Sequence, residues 1–220
     1  MKTLVKAIAI ASLASTAAVA QADVTGSLGY ASSYQFRGVE LAEGSIVTGS
    51  LGMDLAGVSF SAVVTDATDD GFTETDYILG YTMNIGGVDV DLGYTDYNYN
   101  LGAGDDDSGE QEFSVGVTVS GLNIGYVDGE AEASDGTESD YDVLTLGYTV
   151  SNVDITLGQV DVDGGVEYNY YEISTGTELW GLDATLMLTN TFSAEAPGTP
   201  DDDLKQSSRI VIGLSKSLSL

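Results

Sequence analysis

Cysteine and histidine are both missing from this sequence. Without cysteine no disulfide can hold the fold, although an exported protein would be free to use them, so hydrogen bonds and packing must do so. Without histidine or cysteine, Ser-His and Cys-His hydrolysis and the His-based zinc sites are excluded. Only an Asp/Glu pair is left for acid–base chemistry and none stands out, so no enzyme activity, cofactor or metal is expected. Basic residues are scarce too: six lysines and arginines face 35 aspartates and glutamates, for a net charge of −29. So acidic a surface repels nucleic acid, whose binding needs Lys and Arg on the phosphates, and suits cations or saline surroundings. Beyond the N-terminus no apolar run reaches the ~20 residues of a spanning helix. Any membrane association must therefore come from strands or from the surface.

The first 22 residues read as a secretory signal: Lys2 and Lys6, an apolar run, then the small-x-small site Ala20-Gln21-Ala22. Cleavage between Ala22 and Asp23 is expected, with Ala18-Val19-Ala20 as a second site. The chain then divides into a signal peptide, 1–22, and one domain, 23–220. Losing two lysines and no acid takes the mature charge from −29 to −31. Arg37, Lys205, Arg209 and Lys216 are the basic side chains that remain.

What is abundant is period-two alternation, rich in Tyr, Val, Thr and Gly, with both prolines confined to the region near residue 200. Twelve strands are expected, at 23–37, 45–55, 57–66, 73–85, 87–99, 110–120, 121–131, 139–150, 152–162, 165–176, 180–192 and 206–220. Most approach the 9–11 residues of a tilted transmembrane strand. Their connections alternate. Ala56-Gly57, Gly86-Gly87, Ser120-Gly121 and Ser151-Asn152 are tight-turn pairs, and a slightly longer turn is expected around Thr175-Gly176-Thr177. The other set is longer and acidic, with Asp105-Asp106-Asp107 and Asp201-Asp202-Asp203, apart from the short Asp163-Gly164-Gly165. Neither triplet has the ligand spacing of an EF-hand loop. Short turns on one side and long loops on the other are the arrangement of outer-membrane barrels, with both termini periplasmic.

The faces separate cleanly. Val88, Val90, Leu92 and Tyr94 oppose Asp89, Asp91, Gly93 and Thr95, and Leu182, Ala184 and Leu186 oppose Asp183 and Thr185. A soluble sandwich also alternates. Against it stand the recurrence in nearly every strand, the final amphipathic strand, and aromatic residues near strand ends (Tyr30, Tyr34, Tyr81, Tyr94, Tyr126, Tyr148, Trp180) placed as an interfacial girdle. The expected fold is all-β: a transmembrane antiparallel up-and-down β-barrel of about 12 strands in the outer membrane of a Gram-negative bacterium.

Near the mature N-terminus, Ser32-Ser33-Tyr34-Gln35-Phe36-Arg37-Gly38-Val39 resembles the S-D-Y-x-F-R-G-(I/V) motif of the TorF family, proteobacterial outer-membrane barrels assigned as porins. Ser33, Tyr34, Phe36, Arg37 and Gly38 carry the resemblance. Ser33 stands where the family has Asp, Glu40-Leu41 where it has Ser-Gln, and the chain ends on Leu220 rather than an aromatic residue. The resemblance implies a porin-like barrel.

Two groups of candidate site residues follow from strand direction. Arg37 and Arg209 are expected on the lumen face near the outer rim and the closing seam, as a basic patch or as separate ion pairs with acids such as Glu40, Glu74 or Glu112. Asp54, Asp89, Asp91, Asp154 and Asp183 are expected to ring the periplasmic mouth, where carboxylates favour cations. Small inward residues (Gly93, Gly116, Gly125, Gly158, Ser114, Thr118, Thr156) argue for some open volume. The expected function is passive diffusion of small solutes or ions with a weak cation preference. The alternative is a closed structural or surface-interaction barrel acting through its acidic loops. Expected partners are outer-membrane lipid and lipopolysaccharide, the barrel-assembly machinery, and small solutes or cations; the oligomeric state is left open.

Overall fold

The computed structural model describes residues 23–42, 44–67, 72–100, 108–133, 135–195 and 207–219. The expected signal segment with Ala22, and the Asp105–Asp107 and Asp201–Asp203 runs, lie outside them. The strands are β1 (Asp23–Ala31), β2 (Tyr34–Phe36), β3 (Val39–Ala42), β4 (Ile46–Leu55), β5 (Val58–Ala67), β6 (Thr73–Ile85), β7 (Val88–Asn100), β8 (Ser108–Val119), β9 (Leu122–Glu132), β10 (Glu138–Val150), β11 (Val153–Val162), β12 (Glu167–Leu179), β13 (Leu182–Glu195) and β14 (Arg209–Ser219). No helix occurs among the described residues.

Twelve strands form one closed antiparallel barrel in which β1 pairs with β4, the later wall strands pair in chain order, and β14 returns to β1. The seam runs from Thr25 opposite Ser219 to Ala31 opposite Gly213. Closure gives every wall strand two partners, so no backbone edge is left unpaired. The short turns work by dihedral angle. Ala56 and Gly57 lie at φ 52° and 85°, and Ser120 and Gly121 at 51° and 86°. Two positive φ values in succession match the right-handed twist of the strands they join. The turn expected around Thr175–Thr177 instead lies at Trp180-Gly181 (φ 54° and 79°), because β12 continues to Leu179 and pairs there with Leu182.

The outer surface is apolar: Leu28, Leu51, Ile85, Phe113, Ile210 and Leu218 each keep more than half of their surface exposed. Tyr30, Tyr81, Tyr126, Tyr148 and Trp180 are exposed with them, and Tyr94 packs on Phe113 with ring centroids 4.9 Å apart. Lys216 interrupts the outer row of β14. Its ammonium donates to the Gly181 carbonyl at 2.5 Å, carrying the charge to the short-turn rim.

The expected first strand, 23–37, is divided. The wall strand stops at Ala31, and β2 and β3 form a separate two-stranded sheet. Ser32 is where the chain leaves. Its N–H still donates to the Ile212 carbonyl (2.9 Å), while its hydroxyl oxygen accepts from the Ile212 N–H (3.0 Å). One serine side chain thus caps the β14 edge where β1 ends. The next residues, the motif Tyr34-Gln35-Phe36-Arg37-Gly38, turn into the barrel. Tyr34 is therefore buried inside, at 6 % exposure, and is no part of the outer girdle.

Candidate functional site: a hairpin folded into the lumen

Phe36 pairs with Val39, so Arg37 and Gly38 are the two central residues of a tight turn. Their φ angles of 50° and 81° repeat the signature of the short rim turns. Contacts fix the tip within the ring. The Tyr34 hydroxyl donates to Glu74 of β6 at 2.6 Å. The Phe36 ring meets Tyr97 of β7 edge-on at 5.9 Å. Arg37 Nη1 lies 2.7 Å from Glu112 Oε1 of β8. Gly38 abuts Tyr170 of β12 and the Asn190 carbonyl of β13; a Cβ here would stand 2.6 Å from the Tyr170 Cβ. A segment that touches β6, β7, β8, β12 and β13 together lies across the lumen.

Arg37 is held from several sides. Its guanidinium carbon sits 4.4 Å from the Phe36 ring centroid and 5.8 Å from that of Tyr141. Glu112 also accepts from the hydroxyls of Tyr141 (2.6 Å) and Tyr97 (3.2 Å). Burial works against the arginine's charge, but the Glu112 carboxylate outweighs it and raises the guanidinium above its ordinary pKa. The Gly38 N–H donates to the Glu172 carboxylate.

The barrel interior consequently has two zones. Toward the long loops it is filled. Tyr34, Ile46, Met187 and Val211 form one buried apolar cluster, and Tyr141, Val143, Val160 and Tyr170 another. Tyr141 lies over Gly129 and Tyr170 over Gly158, its partner in the ladder, so a Cβ at either glycine would collide with the ring. Gly158 thus makes room for an aromatic ring and opens no volume. A cavity of about 40 Å³ between the hairpin and the β1–β4–β14 wall has space for only a few waters. Toward the short turns the same face stays half-exposed and polar, with Ser114, Gly116, Thr118, Asn123, Gly125 and Thr145.

The two arginines make separate ion pairs. Arg37 pairs with Glu112, and Arg209, at the start of β14, pairs with Glu40 of β3 at 2.8 Å. One holds the hairpin's tip and the other its return strand. Asp54, Asp89, Asp91, Asp154 and Asp183 lie close to short turns. Three are held by the neighbouring strand: Asp89 accepts from Asn84, Asp91 from Thr82, and Asp154 from Thr149, each at 2.6 Å. Ser33 accepts from the Gln35 amide at 3.4 Å.

Asp76, Glu110, Glu172 and the inward tyrosines Tyr97, Tyr99, Tyr141, Tyr168 and Tyr170 are not singled out by sequence reasoning. Their parity was the available signal. In β6, β7, β8, β10 and β12 the acids and rings near the long-loop ends alternate in step with the small polar residues lower down.

No family model and no curated protein matches the chain. Among solved structures it is similar to the COG4313 outer membrane channel from Pseudomonas putida F1, at TM-score 0.51 and 12% identity, covering 92% of this chain and 97% of that one. OccAB3 of Acinetobacter baumannii (TM-score 0.45, 8% identity, 88% of this chain) and CdiB of the same organism (0.46, 8%, 91%) follow. This chain spans 60% of the length of each of those two. At such identities the first likeness speaks for the barrel fold alone.

Proposed function

We propose that this chain is an outer-membrane channel in which the β2–β3 hairpin is the constriction. The observation that carries the reading is the opposition of surfaces around one closed sheet: apolar side chains all round the outside, and a half-exposed polar vestibule inside that ends at the hairpin. In a bilayer an apolar exterior and a polar interior are what a spanning barrel requires. Twelve strands lie between the eight that side chains fill and the sixteen or so that leave an aqueous channel, so one inserted hairpin suffices to decide passage. Membership of the TorF family rests on the resemblance of Ser33, Tyr34, Phe36, Arg37 and Gly38 to its motif, and four of these five lie in the hairpin. The cargo is small solutes or ions by passive diffusion. Asp54, Asp89, Asp91, Asp154 and Asp183 at the short-turn mouth give a weak preference for cations. Lipid and lipopolysaccharide surround the barrel, and the barrel-assembly machinery inserts it after removal of residues 1–22.

The filled outer half of the lumen favours a second reading, a closed barrel acting through its loops. Planar-bilayer recording separates the two. The channel reading expects conductance steps from purified protein, and a reversal potential in a salt gradient that favours cations. Replacing the five aspartates by asparagine moves that potential toward zero. A barrel that is silent both as wild type and after removal of the hairpin belongs to the second reading.

A further inference from the structure

The lumen next to the hairpin holds more carboxyl groups than its one guanidinium answers. Glu110 and Glu112 face it from β8, Glu172 from β12, and Glu74 and Asp76 from β6, while Arg37 is committed to Glu112. Glu112 has Tyr97 and Tyr141 besides Arg37, Glu110 shares the one Tyr141 hydroxyl proton with it (2.9 Å), and Glu172 has the Gly38 N–H. The β6 pair is different. Glu74 and Asp76 are adjacent on the inward face and touch each other, and both have 0 % exposure. Glu74 Oε1 receives the Tyr34 hydroxyl, but beyond the contact between the two carboxyl groups nothing donates to Glu74 Oε2 or to either carboxyl oxygen of Asp76. Across the ladder, Thr65 stands opposite Glu74, also at 0 % exposure, and its hydroxyl oxygen has no partner either.

These four oxygens, on neighbouring inward positions of β5 and β6, make an oxygen-rich cluster built on two carboxyl groups. Buried carboxylates without donors are costly unless a cation or a proton answers them. We propose that Glu74 and Asp76, with the Thr65 hydroxyl beside them, form a divalent-cation site inside the barrel, and that it takes Ca²⁺. Two carboxylates balance a double positive charge, whereas a monovalent ion leaves one charge unanswered. Among the described residues no three acidic side chains converge on a point, so neutral oxygens and water complete the shell. Calcium accepts irregular oxygen sets of that kind more readily than magnesium, which demands a near-ideal octahedron. Because Glu74 also holds Tyr34, the ion ties the hairpin to β6. The site stands whether or not the barrel conducts.

Terbium, a luminescent substitute for calcium, is excited through a nearby tyrosine, and Tyr34 is bonded to one of the ligands. Refolded protein at neutral pH, stripped with chelator and titrated with Tb³⁺, is expected to emit on tyrosine excitation and to lose the emission to excess Ca²⁺. Asp76→Asn and Glu74→Gln are each expected to weaken Tb³⁺ by at least about tenfold, with unheated gel mobility unchanged. Should Asp76→Asn not fold, Glu74→Gln decides, since its amide oxygen still accepts from Tyr34. Emission that survives both changes places the ions on the acidic loops and overturns the proposal. No emission from folded wild-type protein also overturns it, and leaves protons as the answer to the charge.

Discussion

Arg37 combines two unfavourable circumstances, a left-handed backbone (φ 50°) and a charge taken out of water. The backbone alone costs about 1–2 kcal/mol. The ion pair with Glu112, the Phe36 ring and the turn's fit with Gly38 offset this, so the side chain acts as the pin of the hairpin. Breaking a buried pair by removing one partner costs about 3–5 kcal/mol, since the other charge stays behind. Here Tyr97 and Tyr141 still donate to Glu112, so the lower end applies. The absence of native cysteine makes the test direct. In an Ala42→Cys background, where residue 42 is 4 % exposed, adding Arg37→Ala should raise the rate of thiol labelling at least about tenfold. An unchanged rate would mean that Arg37 does not hold the hairpin in.

At the scale of elements, wall and hairpin are separable. Ala31 and Ile46 already face each other in the ladder at the two ends of the 32–45 excursion. Replacing that excursion by a short Gly-containing turn is expected to leave a barrel with heat-modifiable gel mobility and a conductance well above wild type. Loss of heat-modifiability would show that the hairpin is needed to build the wall. Most of the wall was legible in the residues: alternation marked the strands to within a few positions, and paired turn residues marked four of the five short turns. The end of β12 was missed because Thr175-Gly176-Thr177 carries a glycine that the ladder tolerates, while Trp180 is an unusual occupant of a positive-φ position. The departure at Ser32 was not legible at all. Alternation runs on through Tyr34 and Phe36, and nothing local says that a serine side chain will replace a backbone rung. The partners of the arginines were only half legible. Glu40 and Glu112 could be named as candidates, but strand directions alone placed the arginines together, and the inward fold of residues 33–42 sends them to different carboxylates.

At the scale of the whole molecule, the exterior belt predicts depth. Trp180 is the sole tryptophan and is 97 % exposed on the short-turn rim. Tryptophan favours the headgroup level. In vesicles containing lipids brominated at graded depths, its fluorescence should be quenched most by shallow bromines and least by those at the bilayer centre. A maximum at the centre would contradict the belt as drawn. An interior that stays wet on one side and is filled on the other has its counterpart in the burial of single strands. In β8 the inward residues pass from buried Glu112 to half-exposed Ser114, Gly116 and Thr118, while Phe113, Val115 and Val117 stay outside.

That strict two-residue rhythm limits how such a chain can change in length. One residue added between Glu112 and Ser114 would turn every later side chain of β8 over, sending Val115 and Val117 into the water and Ser114 and Thr118 into the oil. Two added residues would restore the faces and only lift the rim. Gains and losses in the wall should therefore survive in even steps, whereas residues 32–45, outside the ladder, are free of that arithmetic.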